Sequence, residues 1–344
     1  MLTSMKAFVL VEPGRAEVRE IETPRPGHGE VLLQVRRIGL CGTDLNSFRG
    51  KNPLVSYPRI PGHEIAATIA ELGPGVPDQF RAGMDVTVAP YFGCGACTSC
   101  RQGRPNACRS NQTLGVQRDG ALVESIAMPW QKLLPAGKLA LNELVLVEPL
   151  TIGFHAVRRA RVAAGDTIAV LGAGTVGLGA MAAANGRGAR AIAIDMDDRK
   201  LELALKAGAR AGINASKESV HDRLQELTNG DGPNVVIEAI GLPQTYRTAV
   251  EEVAFGGRVV YVGWTKEPVA YETRLFVLKE LDIMGSRNAT TEDFLPVIEL
   301  LESGKFPMED AVSRVVPIEG VEAALRDWDR DPGSVRKVLV EVSS

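Results

Sequence analysis

The sequence has almost no net charge and little cysteine for its length of 344 residues. Lysine and arginine total 39 against 42 acidic residues, a formal net charge of -3, so nothing electrostatic favours nucleic acid or a membrane surface as a partner. With 45% hydrophobic and 24% charged residues, the composition excludes a disordered or collagen-like chain. We therefore expect a small-molecule partner, with no nucleic acid and no membrane.

The stretch Ile168–Gly186 is uncharged and has the length of a membrane span. Its glycines divide it into a short β-branched run, a turn and an alanine-rich helix, which predicts a buried strand and helix instead. The first residues, Met1–Gly14, contain an early lysine and a short apolar run that soon meets an acid and a proline, so we expect no signal peptide. These features predict a cytoplasmic protein.

Five cysteines are an odd number and too few for a secreted disulfide scaffold of this length. Four of them, Cys94, Cys97, Cys100 and Cys108, fall within fifteen residues, which suits metal binding in a reducing compartment. Four thiolates with no open coordination position are typical of structural Zn²⁺. An iron–sulfur cluster and plain disulfides are the alternatives for this segment.

A chain of this length is longer than one hydrophobic core usually supports, and its pattern of apolar and turn residues changes near residue 150. Before that point, short β-rich runs alternate with proline and glycine turns. After it, apolar runs alternate with helical patterns, which predicts a parallel, doubly wound sheet and an α/β fold. The six predicted strands are Ile168–Leu171, Ala191–Asp195, Ala211–Asn214, Asn234–Ala239, Arg258–Gly263 and Leu281–Gly285.

A glycine-rich turn follows the first of these strands and opens a helix. Its first glycine permits the tight turn, its second lets a pyrophosphate approach the backbone, and its third lets helix and strand pack closely. An acid at the end of the next strand would bind an adenosine ribose and repel a 2′-phosphate, which favours NAD over NADP, although a nearby arginine leaves NADP open. The alternative is that the glycines serve packing and the acid caps a strand. The candidate cofactor residues are Gly172, Gly174, Thr175, Val176, Gly177, Asp195 and Arg199.

A second set of possible metal ligands is spread along the first half of the chain: Cys41, His63, Glu64 and Glu148. Taken singly, a lone cysteine is usually a small buried apolar residue, and a lone histidine or glutamate has ordinary structural roles. Together they provide thiolate, imidazole and carboxylate, a mixed set that leaves a coordination position open as a catalytic zinc requires. Asp44 could orient one of these ligands.

Five matching segments occur in one order along the chain, and with them it resembles the zinc-dependent medium-chain alcohol dehydrogenases, in the branch of sorbitol, threonine and sugar-acid dehydrogenases. The resemblance covers the chain from end to end. The motifs are Gly-Leu-Cys41-Gly-Thr43-Asp44, Pro-Gly-His63-Glu64, the four-cysteine segment with Val-Glu148-Pro-Leu, and the turn from Gly172 to Gly177.

The resemblance implies a discontinuous GroES-like catalytic domain, residues 1–149 and 288–344, around a Rossmann NAD-binding domain, residues 150–287. It implies one catalytic and one structural zinc per chain, with Cys41, His63 and Glu64 as catalytic ligands and Glu148 binding directly or through water. Simple alcohol dehydrogenases have a cysteine where Glu148 stands, so polyol or sugar-acid substrates are favoured. Relatives are commonly homodimers or homotetramers.

The resemblance also implies a proton relay that begins at Thr43, but Asn46 stands where many relatives have a histidine and cannot take up a proton. Arg287 could bind a sugar-acid carboxylate with its planar guanidinium, or equally pair with an acid of the protein. The predicted activity is zinc-dependent hydride transfer between NAD and a secondary alcohol of a polyol or sugar acid. The alternatives are an L-threonine 3-dehydrogenase-like enzyme, a zinc-free quinone-reductase type and a non-catalytic binding protein.

Overall fold

The computed structural model describes residues 4–343, which divide into two units. The first unit contains the chain up to Glu148, Thr290–Ser303 and the residues from Ala311 onwards, and the second contains Pro149–Ala289 and Gly304–Asp310. The chain leaves the first unit after Glu148 and returns to it at Thr290, and each boundary lies within two residues of the expected one. The difference is the segment Gly304–Asp310, which clusters with the second unit although we expected it in the first.

The N-terminal part of the first unit consists of short strands and short helices. Because β3 is buried at alternate residues, one of its faces packs into the core and the other does not. The strands are β1 Ser4–Glu12, β2 Arg15–Glu22, β3 Glu30–Leu40, β4 Glu64–Leu72, β5 Asp85–Val88, β6 Tyr91–Phe92, β7 Gln112–Thr113, β8 Ser125–Pro129 and β9 Leu133–Pro135, and the helices are α1 Gly42–Phe48, α2 Thr98–Arg101 and α3 Leu141–Leu144, followed by α4 Val147–Arg159.

The second unit is built on six parallel strands in the order β12-β11-β10-β13-β14-β15, which confirms the predicted doubly wound sheet. Strand β10 is buried at every residue, as expected for a parallel strand covered by helices on both faces. The elements are β10 Thr167–Leu171, α5 Thr175–Gly186, β11 Arg190–Asp195, α6 Asp198–Lys206, β12 Ala211–Asn214, α7 Val220–Leu227, β13 Val235–Glu238, α8 Pro243–Glu252, β14 Arg258–Tyr261, α9 Arg274–Leu278 and β15 Asp282–Gly285.

The tail adds two strands, β16 and β17, to the sheet of the first unit. Strand β17 pairs antiparallel with β3, with Val338 opposite Leu40, and a seven-stranded sheet runs β16-β17-β3-β4-β5-β9 with β8 also paired to β3. The tail elements are α10 Thr291–Glu302, α11 Met308–Ala311, β16 Arg314–Pro317, α12 Val321–Arg330 and β17 Val338–Glu341. The start of β17 therefore lies beside the end of β3, where the first candidate metal ligand follows.

Within residues 4–343, none of the helices combines the length and apolar character that crossing a membrane would need. The uncharged stretch discussed above forms β10, the glycine turn and α5, as predicted.

Candidate metal and dinucleotide sites

The four clustered cysteines bring their sulfur atoms within 4.8 Å of one another, and all four are free thiols. Cys97 Sγ lies 3.5 Å from Cys100 Sγ and 3.7 Å from Cys108 Sγ. A tetrahedral zinc with Zn–S bonds of about 2.3 Å would hold sulfurs about 3.8 Å apart, whereas a disulfide needs about 2 Å. The donors therefore fit one tetrahedral ion.

The protonation chemistry of this cysteine cluster also fits a cation. Hydrogen bonds with the Ser99 hydroxyl and from the backbone amides of Cys100 and Arg109 lower the pKa of Cys97 to about 5. Burial and the neighbouring sulfurs raise the pKa of Cys100 to about 11. Crowded thiols resist ionising together unless a positive ion lies among them, which is what zinc would supply.

A mixed cluster forms in the first unit, where ligand atoms of Cys41, His63 and Glu64 lie within 4.8 Å of one another. Cys41 follows β3 and caps α1, whereas His63 and Glu64 stand at the start of β4, the strand paired with β3. Gly39 lies opposite Glu64, and a Cβ there would come within 2.0 Å of Glu64 Oε2. A glycine at position 39 therefore makes room for the carboxylate.

Asp44 holds the backbone of both segments that carry these ligands. Its Oδ2 accepts from the Cys41 amide at 2.8 Å, and its Oδ1 accepts from the Gly62 amide at 3.1 Å. His63 Nδ1 is buried 3.9 Å from Asp44 Oδ1 and has no hydrogen-bond partner among the described residues. Asp44 thus positions Cys41 and His63 through their backbones.

Glu148 lies outside this trio and is held by Tyr91, a residue that the sequence analysis does not identify. The Tyr91 hydroxyl donates to Glu148 Oε1, and both side chains are buried. Burial raises the pKa of Glu148 to about 7, with Glu64 adding to the effect and His63 opposing it. Burial and the Glu148 charge likewise raise the pKa of Tyr91 well above its ordinary value.

Lys337, just before β17, is the second residue of the site that sequence reasoning misses. Its Nζ donates to Glu64 Oε1 and Oε2, both at 2.7 Å, and to the Leu40 carbonyl at 3.2 Å. Lys337 and Glu64 are almost fully buried, at 4% and 0% exposure. Burial disfavours the lysine charge, but Glu64, Cys41 and Glu148 together outweigh burial and raise the pKa of Lys337. The Glu64 carboxylate is therefore also half of a buried ion pair.

The charge balance of this region favours a cation. Burial disfavours a charged His63, yet the pKa of His63 is raised well above its ordinary value because Cys41, Asp44 and Glu148 together outweigh burial. Acidic groups thus outnumber the two basic side chains around the cluster, and such a donor set suits a divalent ion with an open position. The acidic groups are Cys41, Asp44, Glu64 and Glu148, and the basic ones are Lys337 and His63.

The glycine turn has the geometry of a dinucleotide-binding loop. Gly172 adopts a φ of +100°, which only glycine takes readily, and a Cβ on Gly177 would lie 1.9 Å from the Gly172 carbonyl. A Cβ on Gly174 would meet nothing within 4 Å, so the loop is open at its middle glycine, which caps α5. Thr175 and Val176 begin that helix, whose N-terminus would stabilise a phosphate bound there.

Asp195 ends β11 beside this loop. Its Oδ2 accepts from the Ala173 amide at 2.9 Å, and its Oδ1 accepts from the amides of Met196 and Asp197 at 2.8 and 3.2 Å. Arg199 forms an ion pair with Asp197 at 2.9 Å. Arg199, the residue that leaves NADP binding possible, is thus paired with the carboxylate of Asp197, two residues after Asp195.

The remaining predicted residues fall in both units. Thr43 lies in the first turn of α1, where its carbonyl accepts from the Ser47 hydroxyl at 2.8 Å, and Asn46 is exposed one turn later. Arg287 is half-buried two residues beyond β15, in the second unit. The structure therefore places Thr43 and Asn46 on the helix that Cys41 begins, and Arg287 on the other unit.

Comparison with known proteins agrees with the fold and with a zinc-binding dehydrogenase. Residues 27–138 match the alcohol dehydrogenase GroES-like domain, and residues 175–303 match the zinc-binding dehydrogenase family. Sorbitol dehydrogenase of Bacillus subtilis is 35% identical over 98% of this chain and 97% of its own. L-galactonate-5-dehydrogenase of Escherichia coli is 34% identical over 92% of this chain and 93% of its own.

Solved structures show the same fold. The crystal structure of the rspB dehydrogenase of Escherichia coli CFT073 with NADH has a TM-score of 0.91 and 31% identity, covering 98% of this chain and 99% of that one. A GroES-like β-rich domain combined with a Rossmann sheet is the architecture of one class of nicotinamide-dependent oxidoreductases. The chain belongs to the zinc-dependent medium-chain alcohol dehydrogenase family, and enzymes of this family include dehydrogenases that oxidise alcohols to carbonyl compounds.

Metal content tests the two clusters separately. We expect about two zinc ions per chain by elemental analysis, because each cluster supplies a complete donor set. Cys97→Ser should remove about one zinc and lower the Tm, whereas Cys41→Ser should remove the other zinc with a smaller effect on Tm. Ser110→Ala, beside the cysteine cluster, is the control. A wild-type content near one, or loss of both ions from either variant, would contradict two independent sites.

Replacement of Lys337 by methionine should destabilise the protein strongly, because it leaves Glu64 buried without its counter-ion. Breaking a buried pair in this way costs about 3–5 kcal/mol, measured as the free energy of unfolding in urea. The double variant Lys337→Met with Glu64→Gln should recover part of the loss. Lys138→Met, an exposed lysine of the same unit, is the control and should stay near wild type. A small effect at Lys337 would show that the pair contributes little.

Proposed function

We propose that the protein transfers a hydride between NAD and a secondary alcohol of a polyol or sugar acid, with one catalytic and one structural zinc per chain. The observation that carries the proposal is the buried cluster of Cys41, His63 and Glu64 with the carboxylate of Glu148 beside it. A zinc ion, when bound there, supplies Lewis acidity that lowers the pKa of an alcohol. The identity of the sorbitol and L-galactonate dehydrogenases to this chain supports the substrate class.

The residues around the cluster have separate roles in this proposal. Cys41 and His63 hold the ion, and Asp44 keeps their backbones in register. Tyr91 orients Glu148, whose carboxylate joins the ion directly or through water. Thr43 begins the path by which the substrate proton leaves, and because Asn46 cannot carry that proton further, water or another group completes the path.

NAD is the proposed cofactor rather than NADP. The Asp195 carboxylate, at the end of β11, would accept hydrogen bonds from a ribose and repel a 2′-phosphate. Asp197 adds a second negative charge nearby and pairs with the exposed Arg199, which reduces the attraction of this arginine for a 2′-phosphate. Arg287 remains the candidate for a substrate carboxylate because a guanidinium binds two oxygens at once.

We also propose that the protein is a homodimer or a dimer of dimers. Strand β15 ends the parallel sheet, so one of its edges pairs with no strand within residues 4–343. Ile283 on this strand is 40% exposed, and Val277 and Leu278 on the preceding helix are 84% and 64% exposed. Two identical edges related by a twofold axis can pair antiparallel and cover such residues. The five free thiols suit a reducing compartment such as the cytoplasm.

A substrate screen tests the activity. We expect NADH formation with a polyol or an aldonate, a kcat/KM for NAD at least about tenfold above that for NADP, and loss of turnover in Cys41→Ser. Turnover measured at the nicotinamide absorbance with polyols, aldonates and L-threonine discriminates the alternatives. Preference for L-threonine would support a threonine dehydrogenase. Silence with every alcohol and both cofactors, with the metal intact, would support a binding protein instead.

Light scattering after gel filtration tests the assembly. We expect the wild-type chain to elute as a dimer or tetramer and Ile283→Glu to yield smaller species, because a charge at the shared edge opposes pairing. Leu205→Glu, at an equally exposed apolar position on α6, is the control. A monomeric wild type, or an unchanged Ile283→Glu, would rule out the β15 edge as the interface.

A further inference from the structure

Glu238 ends β13 at the point where the order of the sheet reverses. Strand β10 lies between β11 and β13, and ligands of doubly wound folds bind at the carboxyl ends of the strands on either side of such a point. The Ala239 amide donates to the Leu171 carbonyl at 2.9 Å, and a Cβ on Gly172 would lie 2.8 Å from Ile240 Cγ1. The turn after Glu238 therefore packs against the first glycine of the dinucleotide loop.

The Glu238 side chain turns back and holds this segment. Its Oε1 accepts from the Ile240 amide at 2.9 Å, the Gly241 amide at 2.7 Å and the Thr245 hydroxyl at 2.7 Å. Gly241 adopts a φ of +87°, so the turn needs a glycine there. A charged acceptor for two amides at the start of α8 is a strong anchor, because hydrogen bonds to an ionised group are stronger than neutral ones.

Glu238 also touches the turn after the neighbouring strand β14. Its carbonyl accepts from the amides of Val262 and Gly263 at 2.8 and 3.1 Å. A Cβ on Gly263 would lie 2.7 Å from Glu238 Oε2, and a Cβ on Gly241 would lie 2.6 Å from the Trp264 carbonyl. The two turns thus meet backbone to backbone with the carboxylate between them.

Burying the Glu238 carboxylate costs free energy, which indicates a role for it beyond packing. Glu238 is 0% exposed, and its Oε2 has no hydrogen-bond partner among the described residues. A buried carboxylate with one oxygen unsatisfied is expensive, and only the three hydrogen bonds to its other oxygen offset that cost. Ile240 and Trp264, which the two turns carry, remain 43% and 64% exposed at this edge of the sheet. The anchored turns therefore present apolar side chains without forming core.

We propose that Glu238 is a positioning residue for the cofactor: it sets the spacing of the turns after β13 and β14, which receive the half of the dinucleotide that Asp195 does not bind. Rossmann sheets bind one mononucleotide on each side of the reversal, and Asp195 lies on the β11 side. Loss of the Glu238 charge should therefore weaken binding of the complete dinucleotide and leave binding of the adenosine half unchanged.

Titration calorimetry with NADH and with AMP tests this. In Glu238→Gln, which keeps the size of the side chain, we expect the Kd for NADH to rise about tenfold and the Kd for AMP to stay within about twofold. Thr245→Val, which removes one of the three donors to Oε1, should give a smaller rise for NADH alone. Asp195→Ala should weaken both ligands. If the wild type binds NADPH more tightly than NADH, the titrations use NADPH and 2′,5′-ADP in place of NADH and AMP.

Glu251→Gln, an exposed acid on α8, is the control for the loss of charge and should bind both ligands as the wild type does. Thermal unfolding of each variant separates positioning from stability. A Glu238→Gln protein that is folded at the assay temperature and binds NADH as tightly as the wild type would overturn the proposal, as would an equal loss for NADH and AMP. A wild type that binds no nicotinamide cofactor would instead overturn the proposed function.

Discussion

The buried ion pair between Lys337 and Glu64 is the interaction on which the first unit depends. One ammonium group bonds to the carbonyl at the end of β3 and to both carboxylate oxygens at the start of β4, so it joins three strands at one point. Cys41 follows Leu40 and His63 precedes Glu64, so two candidate ligands are covalent neighbours of the groups that Lys337 binds. The pairing of a C-terminal strand with β3 therefore determines where the metal ligands stand, which gives a physical reason for a discontinuous unit.

The two metal-type clusters were predictable to different degrees because their ligands are organised differently. The four cysteines lie within one short segment, so their spacing alone predicts a shared ion. The mixed cluster draws Cys41 and His63 from segments far apart in sequence, and Glu148 comes from a third segment. Residue chemistry alone suggested them as a possible set, and the family resemblance assigned them as ligands. The supporting residues of this cluster, Tyr91 and Lys337, carry no local signal: Tyr91 lies in a two-residue strand, and the burial of Lys337 follows from strand pairing that composition does not reveal.

The Rossmann sheet was predictable because parallel strands are buried on both faces and read as apolar runs. Each predicted strand agrees with the observed one to within two residues. What the pattern could not reveal is the direction of individual side chains at the strand ends. Glu238 reads as the polar end of an apolar run, and only the structure shows its carboxylate turning back into the protein to bind the following turn.

Glu64 and Glu238 solve the same physical problem in different ways. Both are fully buried carboxylates at a strand terminus, Glu64 at the start of β4 and Glu238 at the end of β13, where the backbone geometry is least determined by strand pairing. Glu64 is balanced by a lysine, whereas Glu238 is satisfied at one oxygen by two amides and a hydroxyl. An apolar side chain would cost less to bury but could not bind backbone groups from several segments at once. In each unit, a buried charge therefore holds the ends of neighbouring strands in place where the candidate ligands stand.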